Sequence, residues 1–234
     1  MKLMRLLLLL MIATPAWAQL KVGLATGYGS YAMGDMKALQ KELLKDFPAG
    51  ARITEEFPAF LYYELNATYL LNETFTVGGL VNYGSTGGRI NYTDYSGEVS
   101  GNQLIQFVSA GAWLGLQLTG YEKNFRVHLD VRPQFSYSFL NLEFYSRLGN
   151  YDDEESIKFN SLNLAIEPGI RAEYYRTRIG VNIFAGYNIN AIKGDLIWSE
   201  NENAYLQNED GDKIYLDLSG FRVQVGVFYR FGAN

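Results

Sequence analysis

A histidine and an aspartate two residues apart on one face of a strand have the spacing at which a carboxylate can orient an imidazole for base catalysis. His128 and Asp130 stand in that relation, and His128 is the only histidine in the chain. No serine in a nucleophile motif stands beside them; Ser136 lies further along, beyond Pro133. The same alternating row carries Arg126 and Arg132, and equivalent rows elsewhere carry Glu64, Glu167, Arg171, Glu173, Arg222 and Arg230. Four acids facing five bases read as a charge-compensated network, with His128 a structural member of it. No residue is assigned a catalytic role on this reading.

Other stretches with chemistry in them are weaker. Ser85-Thr86-Gly87-Gly88-Arg89 is glycine-rich, but it lacks the Lys-Ser/Thr of a phosphate loop and no helix follows, so it reads as a loop turn. Asp152-Asp153-Glu154-Glu155, and further on Glu200, Glu202, Glu209, Asp210 and Asp212, read as a solvated acidic rim. Asn208–Asp212 lacks the spaced ligands and terminal glutamate of a calcium loop. Bridging of these acids to lipopolysaccharide through divalent cations is a lesser expectation; unchanged stability and lipopolysaccharide binding on adding EDTA would overturn it. No metal or cofactor site is assigned.

Positioning such rows requires extended segments, because a strand sends successive side chains to opposite faces. Eight stretches alternate in this way: Lys21–Tyr31, Ala59–Leu70, Phe75–Gly84, Gln103–Thr119, Phe125–Leu140, Leu162–Tyr175, Arg178–Asn190 and Phe221–Phe231. The last sets Phe221, Val223, Val225, Val227, Tyr229 and Phe231 against Arg222, Gln224, Gly226, Phe228 and Arg230. Its length is what a tilted strand needs to cross a bilayer, roughly 9–11 residues. Pro133 and Pro168 fall inside runs and predict bulges or poorly paired points.

The connections alternate in length. Leu71–Thr74, Gly120–Asn124 and Arg176-Thr177 are short; Ala32–Pro58, Ser85–Asn102, Asn141–Ser161 and Ala191–Tyr215 are long. Short turns at one end and long loops at the other are the asymmetry of an outer-membrane barrel, and an even strand number puts both termini on the periplasmic side. The predicted fold is all-β: a single antiparallel up-and-down transmembrane barrel of about eight strands. Leu196–Ser199 is strand-like and leaves ten open. Asp35–Lys45, with Asp35 as a competent cap, Met36, Leu39 and Leu43 at helical spacing and Pro48 beyond, predicts a short amphipathic helix in the first long loop, packed over the barrel mouth or, as the lesser expectation, lying against lipid or a partner.

Composition sets the compartment. Lys2 and Arg5, the apolar run Leu6–Ala13 and Ala16-Trp17-Ala18 form a secretory signal peptide over residues 1–18, leaving 19–234 as one domain. The chain has no cysteine, so it is neither a lipoprotein nor a disulfide scaffold. Mean hydropathy is -0.10, which excludes a helical membrane protein but not a barrel, whose inward polar row dilutes it. Tyrosine (18) and glycine (24) are abundant, as interfacial belts require. A net charge of -5 argues against a nucleic-acid partner.

With these features the chain resembles the small outer-membrane β-barrels of the OmpA/OmpX-like, "porin family" type. The resemblance rests on the signal peptide, the opening Thr26-Gly27-Tyr28-Gly29-Ser30-Tyr31, Gly34-Asp35-Met36 before a helix, the segment from Ser85–Arg89 to Asp94-Tyr95-Ser96-Gly97, and the aromatic last strand. It implies a bacterial outer-membrane location. The family's last strand commonly ends in an aromatic residue read by the barrel-assembly machinery, whereas here Gly232-Ala233-Asn234 follow Phe231. Outer-membrane lipid and lipopolysaccharide are the expected surroundings, with a plugged lumen and a structural or surface-interaction role. A small channel, a lipid A-modifying enzyme and a soluble lipocalin-like barrel remain alternatives.

Overall fold

The computed structural model describes residues 20–95, 97–119, 124–148 and 151–232. The signal-peptide assignment and most of the Gly120–Asn124 turn lie outside these residues. In chain order the elements are β1 (Leu20–Gly29), α1 (Gly34–Asp46), β2 (Arg52–Glu56), β3 (Phe60–Leu70), β4 (Phe75–Thr93), β5 (Gly97–Gln117), β6 (Phe125–Leu148), β7 (Tyr151–Tyr175), β8 (Ile179–Ile192), β9 (Ile197–Trp198), β10 (Asn201–Tyr205) and β11 (Gly220–Arg230).

Eight of these strands close a ring in the order β1-β3-β4-β5-β6-β7-β8-β11, every pair antiparallel. The ring shuts where β11 returns to β1, with Lys21 opposite Arg230 and Gly29 opposite Arg222. Closure removes the sheet edge that lipid could not satisfy. The strand-like Leu196–Ser199 is not a stave: β9 adds to the far end of β7, Trp198 opposite Phe159. β2 lies likewise against the far end of β4. The prolines interrupt pairing, and the β7–β8 ladder also shifts register nearby, between Leu164 and Ala165. The β5–β6 ladder skips from Gly111↔Gln134 to Leu114↔Val131 around Pro133, and β7–β8 skips from Ile166↔Ile189 to Gly169↔Gly186 around Pro168.

The strands are longer than their periodicity predicts, and this corrects two of the expected loops. Ser85–Asn102 and Asn141–Ser161 are mostly strand, the ends of β4–β5 and β6–β7. Ser85–Arg89 is therefore mid-strand and not a turn. Gly88 serves close approach there: a Cβ would meet Gln40 Nε2 at 2.6 Å and Phe57 Cζ at 3.0 Å.

The reason these stretches look like loops is a reversal of face. Along the first part of β6, Phe125, Leu129, Phe135 and Tyr137 point outward while Arg126, His128, Asp130 and Arg132 are buried inside. Past Phe139 the same strand buries Leu140 and Leu142 and turns Asn141, Glu143 and Arg147 toward the outside. β7 does the same around Ser161, with Phe159 inside and Lys158 exposed. Period two persists throughout; only its sign changes. An apolar outward row suits lipid and a polar one suits water, so the reversal marks where the strands leave the bilayer.

Outside, the first part is apolar around the ring: Leu24, Leu65, Val81, Val108, Leu114, Ile170, Ile183 and Val225 are all exposed. Aromatics border this band at both ends, with Tyr187 stacked edge-on against Phe221 at 5.0 Å and Tyr229 against Phe231 at 4.9 Å. Phe221 to Phe231 spans roughly 33 Å of strand, or about 25 Å of height at the usual tilt, which is the height of an outer-membrane apolar band.

Inside the extended end, Tyr31, Met33, Met36, Leu39, Phe57, Ile105, Phe107, Leu140, Leu142, Phe159, Leu196, Ile214, Leu216 and Leu218 form one apolar cluster. Helix α1 lies over the mouth with Met36 and Leu39 buried in that cluster. Asp35 is not its cap. The helix starts at Gly34 after Met33 in a left-handed conformation, and the Asp35 carboxylate accepts the Tyr215 N–H at 3.1 Å.

Candidate functional site

The lumen is where the alternating rows bring buried ionisable groups together, and its neighbours are set by register. Arg126 pairs with Glu173, His128 with Arg171 and Arg132 with Glu167 across β6 and β7. Adjacent inward positions on paired strands lie about 5 Å apart, so long charged side chains reach the next row.

Three levels can be followed from the short-turn end. In the first, Glu173 accepts from Lys21 Nζ at 2.7 Å, lies 3.4 Å from His128 Nε2 and pairs with Arg171. Arg126 and Arg230 lie over the ring of Tyr175, 4.9 and 4.2 Å from its centroid. In the second, Arg171 donates to Asp130 through Nε at 2.7 Å and through its Nη2 at 3.2 Å. Arg132 reaches Glu64 at 3.4 Å and Asp130 at 3.6 Å, with its guanidinium between the rings of Trp113 and Phe184, 3.9 and 3.5 Å away. In the third, Gln134 donates to Glu167 at 3.2 Å, and Tyr62 donates to Gln224, which donates to Glu64. Arg222 donates to the carbonyls of Ser30 and Leu218 and lies over Tyr31, where the apolar cluster begins.

Nine of the ten residues read from the sequence are thus buried in one lumen: Glu64, Arg126, His128, Asp130, Arg132, Glu167, Arg171, Glu173 and Arg222. Arg230 is half-buried at its short-turn end. The His128–Asp130 pair does not form. Asp130 is taken up by Arg171 and Arg132, His128 faces Glu173, and Ser136 bonds Ser109 at 2.7 Å. Lys21 was missed, although its parity with Gly23 and Ala25 places it inside; it sits at the edge of the run, where periodicity has little to count. Phe184 was missed for the opposite reason, because a large apolar residue on a polar row looks like a lapse in the pattern.

A cavity bounded by Tyr62, Asn82, Gln134, Glu167, Asn188 and Arg222 holds about 10 Å³, the room of one water. Eight strands give an interior just wide enough for side chains to fill. Among the described residues no group of three histidine or carboxylate side chains is placed to hold a metal ion.

An eight-stranded ring, apolar outside and charged inside over the height of a bilayer, is an outer-membrane-type β-barrel. No protein-family model matches the chain, and no curated protein matches it. Among solved structures it is similar to Neisserial surface protein A, at 13% identity over 91% of this chain and 97% of that one, with a TM-score of 0.42. It is also similar to Ail, the attachment invasion locus protein of Yersinia pestis, at 13% identity over 91% and 99%, with a TM-score of 0.40. Likenesses this distant go no further than architecture, which rests on the closed ring of strands.

Proposed function

We propose that the chain is an integral protein of a bacterial outer membrane, cleaved after Ala18, with its termini in the periplasm and its long hairpins and α1 outside. Its role is structural or interactive, exercised through the outward surface. One observation supports this reading: buried charged side chains line the membrane part of the lumen, and an apolar cluster is buried under α1 beyond it. A solute path would need a gap that the ~10 Å³ cavity does not supply. A lipid A-modifying site would need a base free to act, and the carboxylate nearest to His128 in sequence is spent on Arg171. A lipocalin-like barrel would carry its apolar row inside, the reverse of the arrangement here. Lipopolysaccharide around the outer band and the barrel-assembly machinery during insertion are the partners that follow from the location.

Reconstitution into planar bilayers tests the closed lumen. Steady baseline current at all applied voltages is expected, and discrete conductance steps would overturn it. Gel migration that shifts only after boiling tests the membrane barrel separately.

A further inference from the structure

Between the C-terminal end of α1 and the far ends of β5, β6 and β7 lies a groove of about 310 Å³. Leu43, Phe47 and Phe144 form its apolar floor, and Asp46, Asp153 and Glu155 stand around it. Phe47 is seated against Gly101, where a Cβ would come within 2.9 Å of the ring. The acids are out of pattern. Glu155 and Asp153 continue the inward row of β7 that holds Phe159 and Ile157, and they pair with Phe144 and Ser146 of β6. Packing alone would extend the apolar row.

None of these three carboxylates has a cationic partner within 4 Å among the described residues, whereas the nearby lysines do have acids: Lys41 with Glu56 and Lys45 with Glu209. Nor do the three converge closely enough to hold a metal ion. Carboxylates set apart around aromatic rings suit larger cations, an ammonium or guanidinium lying on a ring face with acids beyond it. The wider field agrees. Residues 30–59, 84–107, 139–162 and 190–220 carry nineteen acidic and nine basic side chains, an excess that draws in cations and repels polyanions.

The geometry points to this groove as the docking site for a basic, amphipathic polypeptide segment. Its apolar side chains rest on Leu43, Phe47 and Phe144, and its lysine or arginine heads meet Asp46, Asp153 and Glu155. The inference deepens the surface-interaction role and rests on this end facing outward.

The test is a titration of the full chain, refolded in zwitterionic lipid nanodiscs, with a labelled synthetic peptide of lysine and leucine at helical spacing; empty discs provide the blank. The Asp153→Asn/Glu155→Gln pair is expected to weaken binding about tenfold. The Glu200→Gln/Glu202→Gln pair, which removes the same charge elsewhere, should weaken it by less than about twofold. A peptide with serine for leucine should lose most of its affinity. Equal loss in the two pairs, or undiminished binding of the serine peptide, would overturn the site in favour of diffuse attraction. Calcium that competes with the peptide and loses its own binding in Asp153→Asn/Glu155→Gln would overturn it as well. So would a dimer of the chain that Leu43→Glu dissociates. Protease shaving of whole cells separates the two levels. Cleavage at α1 with no peptide binding sinks the groove alone; binding to purified protein with α1 shielded on cells sinks the orientation.

Discussion

Arg171 holds two carboxylates at once, Asp130 and Glu173, and all three side chains are almost wholly buried. Removing it leaves both acids buried with less compensation, so Arg171→Ala should lower stability by about 3–5 kcal/mol, measured by urea unfolding in detergent micelles. Arg147, exposed and 3.6 Å from Glu98, should cost under about 1 kcal/mol on the same substitution. Asp217 gives a pH-dependent case outside the membrane. Burial raises its carboxyl, but Lys193 Nζ at 2.6 Å and the Ser219 N–H at 3.0 Å more than offset this and hold it below the usual carboxylate range. A depressed carboxyl stabilises fully above its unfolded value of about 3.9 and loses that contribution as pH falls through the folded value. The deficit of Asp217→Asn in thermal unfolding should therefore be largest near neutrality and vanish once pH has fallen through the folded value. At this scale the sequence was legible by parity alone. What parity does not supply is which acid takes which base: Asp130 lies two residues from His128 yet binds Arg171, a diagonal neighbour on β7 whose long side chain reaches the carboxylate past Gly169, the residue opposite Asp130.

Helix α1 was legible from Met36, Leu39 and Leu43, but its dependence on β4 was not. Gln40 donates to the Glu55 carbonyl at 2.8 Å and sits over Gly88. Gly88→Val should push Gln40 and Phe57 aside and expose α1 to proteases, while the boiled-versus-unboiled gel shift persists. Met36→Asp should do the same through a buried charge, at a cost of several kcal/mol to the docked state. The hairpin ends of β4–β5 and β6–β7 were illegible for a definite reason. A reader following one greasy row sees it end at Phe139 and concludes that the strand has ended, when the row has only changed sides.

For the whole molecule, the barrel interior has two stacked layers that do not share residues: the charged layer within the membrane and the apolar cluster beyond it. A chain lacking residues 34–46 should therefore stay non-conducting in planar bilayers, because the charged layer stands beneath the missing helix. Conductance in that variant would mean that the lower layer leaks and that α1 is the true seal.

The change of sides along β6 and β7 also bears on how the protein is assembled. Each strand is written for one vertical setting, like a hull painted to its waterline. If β6 paired one residue out of step, Arg132 would meet acyl chains at one end while Leu142 met water at the other. Misthreading is thus penalised twice on a single strand, and a correctly inserted chain has no neighbouring depth at which to rest.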